Sequence, residues 1–242
     1  GRQSPTRSLV DRIDFSNDTE TAVARGPLSV ARYGLTATGN KDFGYFAGGV
    51  PSAKSIVDRV DYSNDTATAV AKGPLSVTRG SGLAGMSPKD GGLPQTEIGT
   101  VNYAAGTYAT PHFGYFGGGK APSTTSTVDR VDYSNDTAIA LAKGPLSAAR
   151  YYLAATGNAD FGYFGGGGPF PSPVSTVDRI DYSNDTATAV AKGPLTSGVT
   201  NPSATGNSSF GYFAGGNVPS TTSKVDRIDY SNDTATASPK GP

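Results

Sequence analysis

A fold made of strands alone, arranged as four-stranded sheets that repeat along the chain, is what this sequence predicts, and three observations carry the prediction. The motif V-D-R-[IV]-D-[YF]-S-N-D-T begins at Val10, Val57, Val128, Val177 and Val225. These starts lie 47, 71, 49 and 48 residues apart, a period near 48 with an insertion of about 23 residues in the second interval. A second motif, G-Y-F-[AG]-G-G, begins at Gly44, Gly114, Gly162 and Gly211, each time ahead of a V-D-R motif. Composition is the third: 33 Gly and 17 Pro separate segments rich in Ala, Thr, Val and Tyr, which suits short strands joined by turns. With 36% hydrophobic and 10% aromatic residues the chain can pack a core.

Each unit reads as four strands. The first is typified by Arg32 to Thr38 and is closed by a Gly39-Asn40 turn. Phe43 to Phe46 form the second, stopped by the pair Gly48-Gly49, where glycine lets the chain turn sharply. Val57 to Tyr62 form the third; alternation puts Val57, Arg59 and Asp61 on one face and Asp58, Val60 and Tyr62 on the other. Ser63-Asn64-Asp65 is turn chemistry. The fourth strand, Thr66 to Ala71, is small and β-branched, and Lys72-Gly73-Pro74 ends it.

Four strands per 40 to 50 residues is the spacing of a propeller blade, since one such sheet cannot bury its own faces and must stack on neighbours. A single β-propeller domain over residues 1–242 is therefore expected, with five blades. Five third-and-fourth-strand pairs accompany only four glycine-pair strands, so the sequence begins and stops in mid-blade. Either a further hairpin closes the ring or the chain belongs to a longer array. The start, GRQSPTRSLV, has neither an initiator Met nor an apolar signal core and reads as a processed product or a fragment.

Twenty basic and twenty acidic residues cancel, which argues against a nucleic-acid partner. No apolar run is long enough for a membrane span. Without cysteine there is no disulfide, thiolate zinc site or cysteine nucleophile. The Asp-Arg-x-Asp of each third strand, Asp11, Arg12 and Asp14 in the first copy, reads as a charge ladder between strands, with cation or sugar binding as the other reading. Ser-Asn-Asp-Thr offers oxygens but lacks the acidic loop spacing of a calcium site, so a structural Asx turn is expected. Asn64-Asp65-Thr66 also matches the N-glycosylation acceptor, which a repeated tight turn explains equally well. No cofactor or metal site is expected.

Function is sought where the copies differ. The loop after Pro-Leu reads Ser29-Val30-Ala31-Arg32-Tyr33, then Ser76-Val77-Thr78-Arg79-Gly80, then Ser147-Ala148-Ala149-Arg150-Tyr151, whereas the fourth has Val199 and Thr200. The insertion, residues 85–111, breaks the period; Thr100 to Tyr103 and Thr107 to Tyr108 are expected to pair as a hairpin. Tyr103, Tyr108 and His112 there supply amphipathic contact area for sugars or protein surfaces. A disordered surface insertion is the alternative.

The double glycine after a short aromatic strand, the V-x-R-x-D strand, the small-residue strand and then P-L-S-x-x-R together resemble the kelch repeat over almost the whole chain. The kelch tyrosine of the third strand is Val60 or Ile180 here, and the fourth-strand tryptophan is absent. Packing should accordingly fall to the Phe-Gly-Tyr-Phe strand. The resemblance implies that Arg32, Arg79 and Arg150, with Tyr33 and Tyr151, face a partner; arginines satisfied by backbone carbonyls near the axis are the alternative. Copper-radical oxidases share the kelch fold but need Cys, Tyr and paired His, and this chain has His112 alone. A sialidase-like site would need an arginine cluster with Glu, and only Glu20 and Glu97 exist, in non-equivalent places. A non-enzymatic role is expected.

The wording "VDRIDYSNDTATAVAKGPLS", "FGYFGGG" and "LAATGN" resembles repeats of virion structural proteins from marine cyanobacterial phages. That resemblance implies a tail appendage or fibre on the particle surface, contacting other virion proteins or a host surface glycan or protein. A secreted multivalent lectin is the alternative.

Overall fold

A computed structural model describes residues 6–88, 113–120, 122–168, 172–218 and 220–241. They form no α-helix. The chain opens with a two-stranded hairpin, β1 (Val10–Arg12) and β2 (Val23–Arg25). A first antiparallel sheet follows: β3 (Thr36–Gly39), β4 (Phe43–Ala47), β5 (Val57–Asp61) and β6 (Val70–Lys72). The second is β7 (Ala84–Met86), β8 (Phe113–Gly117), β9 (Val128–Asp132) and β10 (Leu141–Lys143). The third is β11 (Leu153–Gly157), β12 (Phe161–Gly166), β13 (Val177–Asp181) and β14 (Val190–Ala191). The fourth sheet takes β15 (Ser203–Gly206) and β16 (Phe210–Ala214), is interrupted by the short ribbon β17 (Asn217–Val218) and β18 (Ser220–Thr221), and finishes with β19 (Val225–Asp229) and β20 (Ser238–Lys240).

The register is the same in every sheet. Tyr45 lies opposite Arg59, Tyr115 opposite Arg130, Tyr163 opposite Arg179 and Tyr212 opposite Arg227. Gly39-Asn40 turns as expected: the Asn40 side chain accepts the amides of Asp42 and Phe43 at 2.9 and 2.8 Å. The glycine pair is required by its backbone, since Gly48 and Gly49 sit at φ 71° and 107°, a region that costs any residue with a β-carbon.

Third strands of the first three sheets are buried on both faces because each of these sheets lies between neighbours. Val57 joins Tyr45 and Leu75 against Val131, Tyr133 and Ala140 of the second sheet, while Val60 turns the other way onto Leu28. Equivalent clusters join the second sheet to the third and the third to the fourth. Each fully buried Val, Leu or Phe adds about 1.5–3 kcal/mol, so the seams between sheets carry much of the stability. The tyrosines of the Phe-Gly-Tyr-Phe strands are the centre of this packing, and Val23, Val70, Leu141 and Val190 on the outer strands are exposed.

Three expectations are corrected. The fourth strand of the first sheet starts at Val70 rather than Thr66, because Ala67 donates its amide to Asn64 and the Thr66 hydroxyl bonds the Asn64 side chain, which holds that stretch in a turn. Gly85 and Met86, assigned to the insertion, belong to β7 and pair with Phe116 and Tyr115. The Asp-Arg-x-Asp residues form no ladder: Asp58, Arg59 and Asp61 each serve a different partner, described below.

Candidate functional site

Two sets of recurring charges and one loop rim are the candidates. The first set is internal. Arg32, Arg79 and Arg150, expected as partner contacts, are 1%, 0% and 2% exposed. Arg32 pairs with Asp58 at 2.8 Å and donates to the Phe46 carbonyl at 2.9 Å. Arg79 pairs with Asp129 at 2.7 Å and donates to the Phe116 carbonyl, and Arg150 pairs with Asp178 at 2.7 Å and donates to the Thr176 carbonyl. The placement is that of the alternative reading: a guanidinium enclosed by its own sheet offers no surface to a partner. The rest of each aspartate is satisfied by the loop, as where Ser29 and Ser147 donate their hydroxyls at 2.6 Å. Loss of solvation holds Arg79 and Arg150 below the ordinary arginine range, opposed by the facing carboxylates, and raises Asp129 for the same reason.

The second set lies between sheets. Asp136, from the Ser-Asn-Asp-Thr turn of the second sheet, accepts Tyr45 at 2.9 Å, Arg59 at 2.8 Å and Lys72 at 3.2 Å, all from the first. Asp185 gathers Tyr115, Arg130 and Lys143 in the same way, and Asp233 gathers Tyr163, Arg179 and Lys192. Asp65 takes Arg12 and Arg25 from the hairpin at 2.9 and 3.3 Å. Arg59, Arg130 and Arg179 are each held over a phenylalanine ring, at 4.3 Å for Arg59 on Phe43, which fixes their direction. Burial, then the adjoining carboxylate, pushes the phenols of Tyr45, Tyr115 and Tyr163 well above their ordinary range. Tyr133, Tyr182 and Tyr230 stack on these three at 4.5, 5.1 and 4.8 Å. Burial pushes Tyr230 up to about 12.

The turns themselves are structural. Asp61 accepts the amide and hydroxyl of Ser63 at 2.9 and 2.6 Å, and these bonds hold its carboxyl below the usual range. Among the described residues no group of three or more His, Asp or Glu is placed to hold a metal.

The rim is formed by the loops around the glycine pairs. Gly49 donates to Arg79, Gly119 to Arg150 and Gly167 to Val199, which ties each loop to the next sheet. Tyr33, half-buried, is fixed there by paired bonds with Val50 at 2.9 Å. Tyr151, also half-buried, packs on Tyr152 at 4.7 Å, with the Lys120 ammonium 5.3 Å from its ring. Tyr103, Tyr108 and His112 lie outside the described residues.

The first strands of all four sheets face a common cavity of about 300 Å³, lined by Thr38, Met86, Thr156 and Thr205 with small neighbours; among the described residues Tyr62 is the one titratable group on its wall. Sequence reading missed the carboxylate of Ser-Asn-Asp-Thr as the acceptor between sheets. Its signal was present, because Tyr, Arg and Lys recur at fixed places in the first three full units, and the next unit then supplies the Asp.

No helix among the described residues is long and apolar enough to cross a membrane. A scan against protein-family models and a search of curated proteins found no match to the chain.

Proposed function

We propose that the four sheets and the first hairpin are blades of a five-bladed, kelch-like propeller, and that it serves as a non-enzymatic structural and adhesion module of a phage particle. The observation that carries this reading is where the recurring chemistry is spent. Arg, Asp, Tyr and Lys of the first three sheets are consumed within sheets or between them, and variation is left to the loop rim and the insertion. The common cavity faced by four first strands supports radial stacking. In this reading the rim with Tyr33 and Tyr151, and the insertion with Tyr103, Tyr108 and His112, meet another virion protein or a host surface.

The purified chain, added in excess, should compete with phage particles for adsorption to cyanobacterial cells, and Tyr151→Ala should weaken the competition. Adsorption unaffected by the chain would count against adhesion. The Tyr151–Tyr152 pair beside Lys120 favours a second reading, a carbohydrate-binding lectin. Binding to defined glycans on an array, lost with Tyr151→Ala and Tyr152→Ala, separates it from a protein-binding rim.

A further inference from the structure

The connections between strands divide by charge. In each antiparallel sheet of four, the second-to-third connection and the passage to the next sheet leave at one end, and the two tight turns close the other. The sequence that supplies the first end, residues 26–35, 48–56, 73–83, 118–127, 144–152, 166–176, 193–202 and 215–224, holds no Asp or Glu, yet it carries Lys54, Lys120 and Lys224. At the turn end Asp42, Asp61, Asp132, Asp160, Asp181 and Asp229 lie outside the core. A chain of zero net charge thus keeps one end clear of carboxylates.

At that end the seam between the second and third sheets departs from the repeat. After the glycine pair the other sheets have Val50, Gly168 and Asn217, and the second has Lys120. Lys72, Lys143, Lys192 and Lys224 each hold an aspartate at 3.0–3.2 Å. Lys120 is exposed and reaches no carboxylate among the described residues; its ammonium stands 5.3 Å from the Tyr151 ring.

Tyr152, on the same seam, holds a backbone conformation suited to glycine. Its φ is 60°, and the equivalent residues Gly34, Gly82 and Asn201 have 70°, 68° and 55°. A β-carbon is disfavoured there, most of all with a ring attached. Bonds to both neighbouring sheets keep it in place: the Tyr152 amide donates to the Gly82 carbonyl at 2.7 Å, and the Tyr152 carbonyl accepts the Asn201 amide at 2.8 Å. The ring stays half-buried on the rim, tilted by 52° against Tyr151, so a strained tyrosine stands at the surface where glycine serves in two other sheets.

We propose that this seam binds an acidic saccharide, a sugar chain bearing carboxylate groups. The Tyr152 ring takes the apolar face of a sugar, Lys120 beside Tyr151 meets a carboxylate, and an end without Asp or Glu repels no part of an anionic chain. The inference rests on the carbohydrate reading of the rim and adds the charge of the sugar. The acidic turns of a second copy are the other anionic partner, and the paired rings favour the sugar.

Hexameric galacturonate and its methyl ester, equal in length and different in charge, are the probes, titrated into the purified 242-residue chain by calorimetry at low and high salt. The acid should bind at least about tenfold tighter than the ester at low salt and lose that margin as salt rises. Lys120→Met should bring the acid down to the level of the ester and leave the ester unchanged. Tyr152→Gly, which installs the residue already present at Gly34 and Gly82, should melt cooperatively and bind neither probe. Equal binding of acid and ester overturns the inference and leaves the carbohydrate reading standing. Binding of neither, by a chain that melts as a folded protein, removes both, and a mass that then rises with concentration at low salt assigns the rim to the acidic turns of a second copy. A preference for the acid that survives Lys120→Met overturns the site.

Discussion

The first three sheets and the fourth solve the same problem with different residues. Asp58, Asp129 and Asp178 are each buried against an arginine reaching in from the preceding loop. The fourth sheet keeps its aspartate, Asp226, equally buried, but has Val199 where the arginine would be. Lys224, one residue before β19, supplies the cation at 3.0 Å, and the Thr196 hydroxyl donates at 2.8 Å. The corresponding positions elsewhere are Ile56, Thr127 and Thr176, so the lysine occurs only where the arginine is lost. A buried carboxylate must have a cation, and the fold accepts one from either end of the strand. The two cations are not equivalent: Arg79 is enclosed and forks between carboxylate and carbonyl, whereas the Lys224 side chain is a quarter exposed and partly screened.

That difference can be broken in order of size. Arg79→Met should cost about 3–5 kcal/mol, because it strands Asp129 in a dry site, and chemical denaturation would measure it. A loss under about 1 kcal/mol would mean that water reaches the aspartate. Arg150→Val combined with Thr176→Lys transplants the fourth-sheet solution into the third, and should recover a large part of the loss caused by Arg150→Val alone. Lys224→Met should cost less than Arg79→Met, about 1–3 kcal/mol, because it strands the buried Asp226 at a site that water partly reaches, read as a lowered melting temperature.

The joints between sheets add a pH signature of their own. Tyr45, Tyr115 and Tyr163 have folded values raised above the unfolded value of about 10. Below pH 10 their contribution is whole; as pH climbs past 10 the unfolded chain releases phenolic protons that the folded chain keeps, so stability falls. Tyr163→Phe should flatten part of that alkaline decline in a series of melts. The turn aspartates act in the opposite direction. Asp14, Asp61, Asp181 and Asp229 are held below their usual range, so their contribution is present above about pH 4 and is lost as pH falls further. Ser63→Ala should raise the acid midpoint slightly, the smallest effect of the set.

The strand order within a unit was legible because period and glycine pairs are local signals: Gly48-Gly49 and Gly39-Asn40 mark turns wherever they occur. The seams were not legible, because they join residues about 40 to 95 positions apart, such as Lys192 with Asp233 and Thr38 with Tyr133. Alternation also misled at Asp58 and Arg59. It assigns them to opposite faces, correctly, but says nothing of whether either face is wet, and here both are covered. Arg32 shows the same limit: a loop arginine beside a tyrosine looks available on paper, and only the returning strands show that it is enclosed.

Gly73, Gly144 and Gly193 of three Lys-Gly-Pro stretches, and Gly26 of Arg-Gly-Pro, lie so close to the alanine carbonyl of the following sheet that a single added methyl has no room. Such a methyl would act as a wedge at one edge of a seam, tilting two sheets rather than loosening them evenly. The angle between neighbours is thus set by four carbons the protein does not have, and one such substitution would change the curvature of everything beyond it.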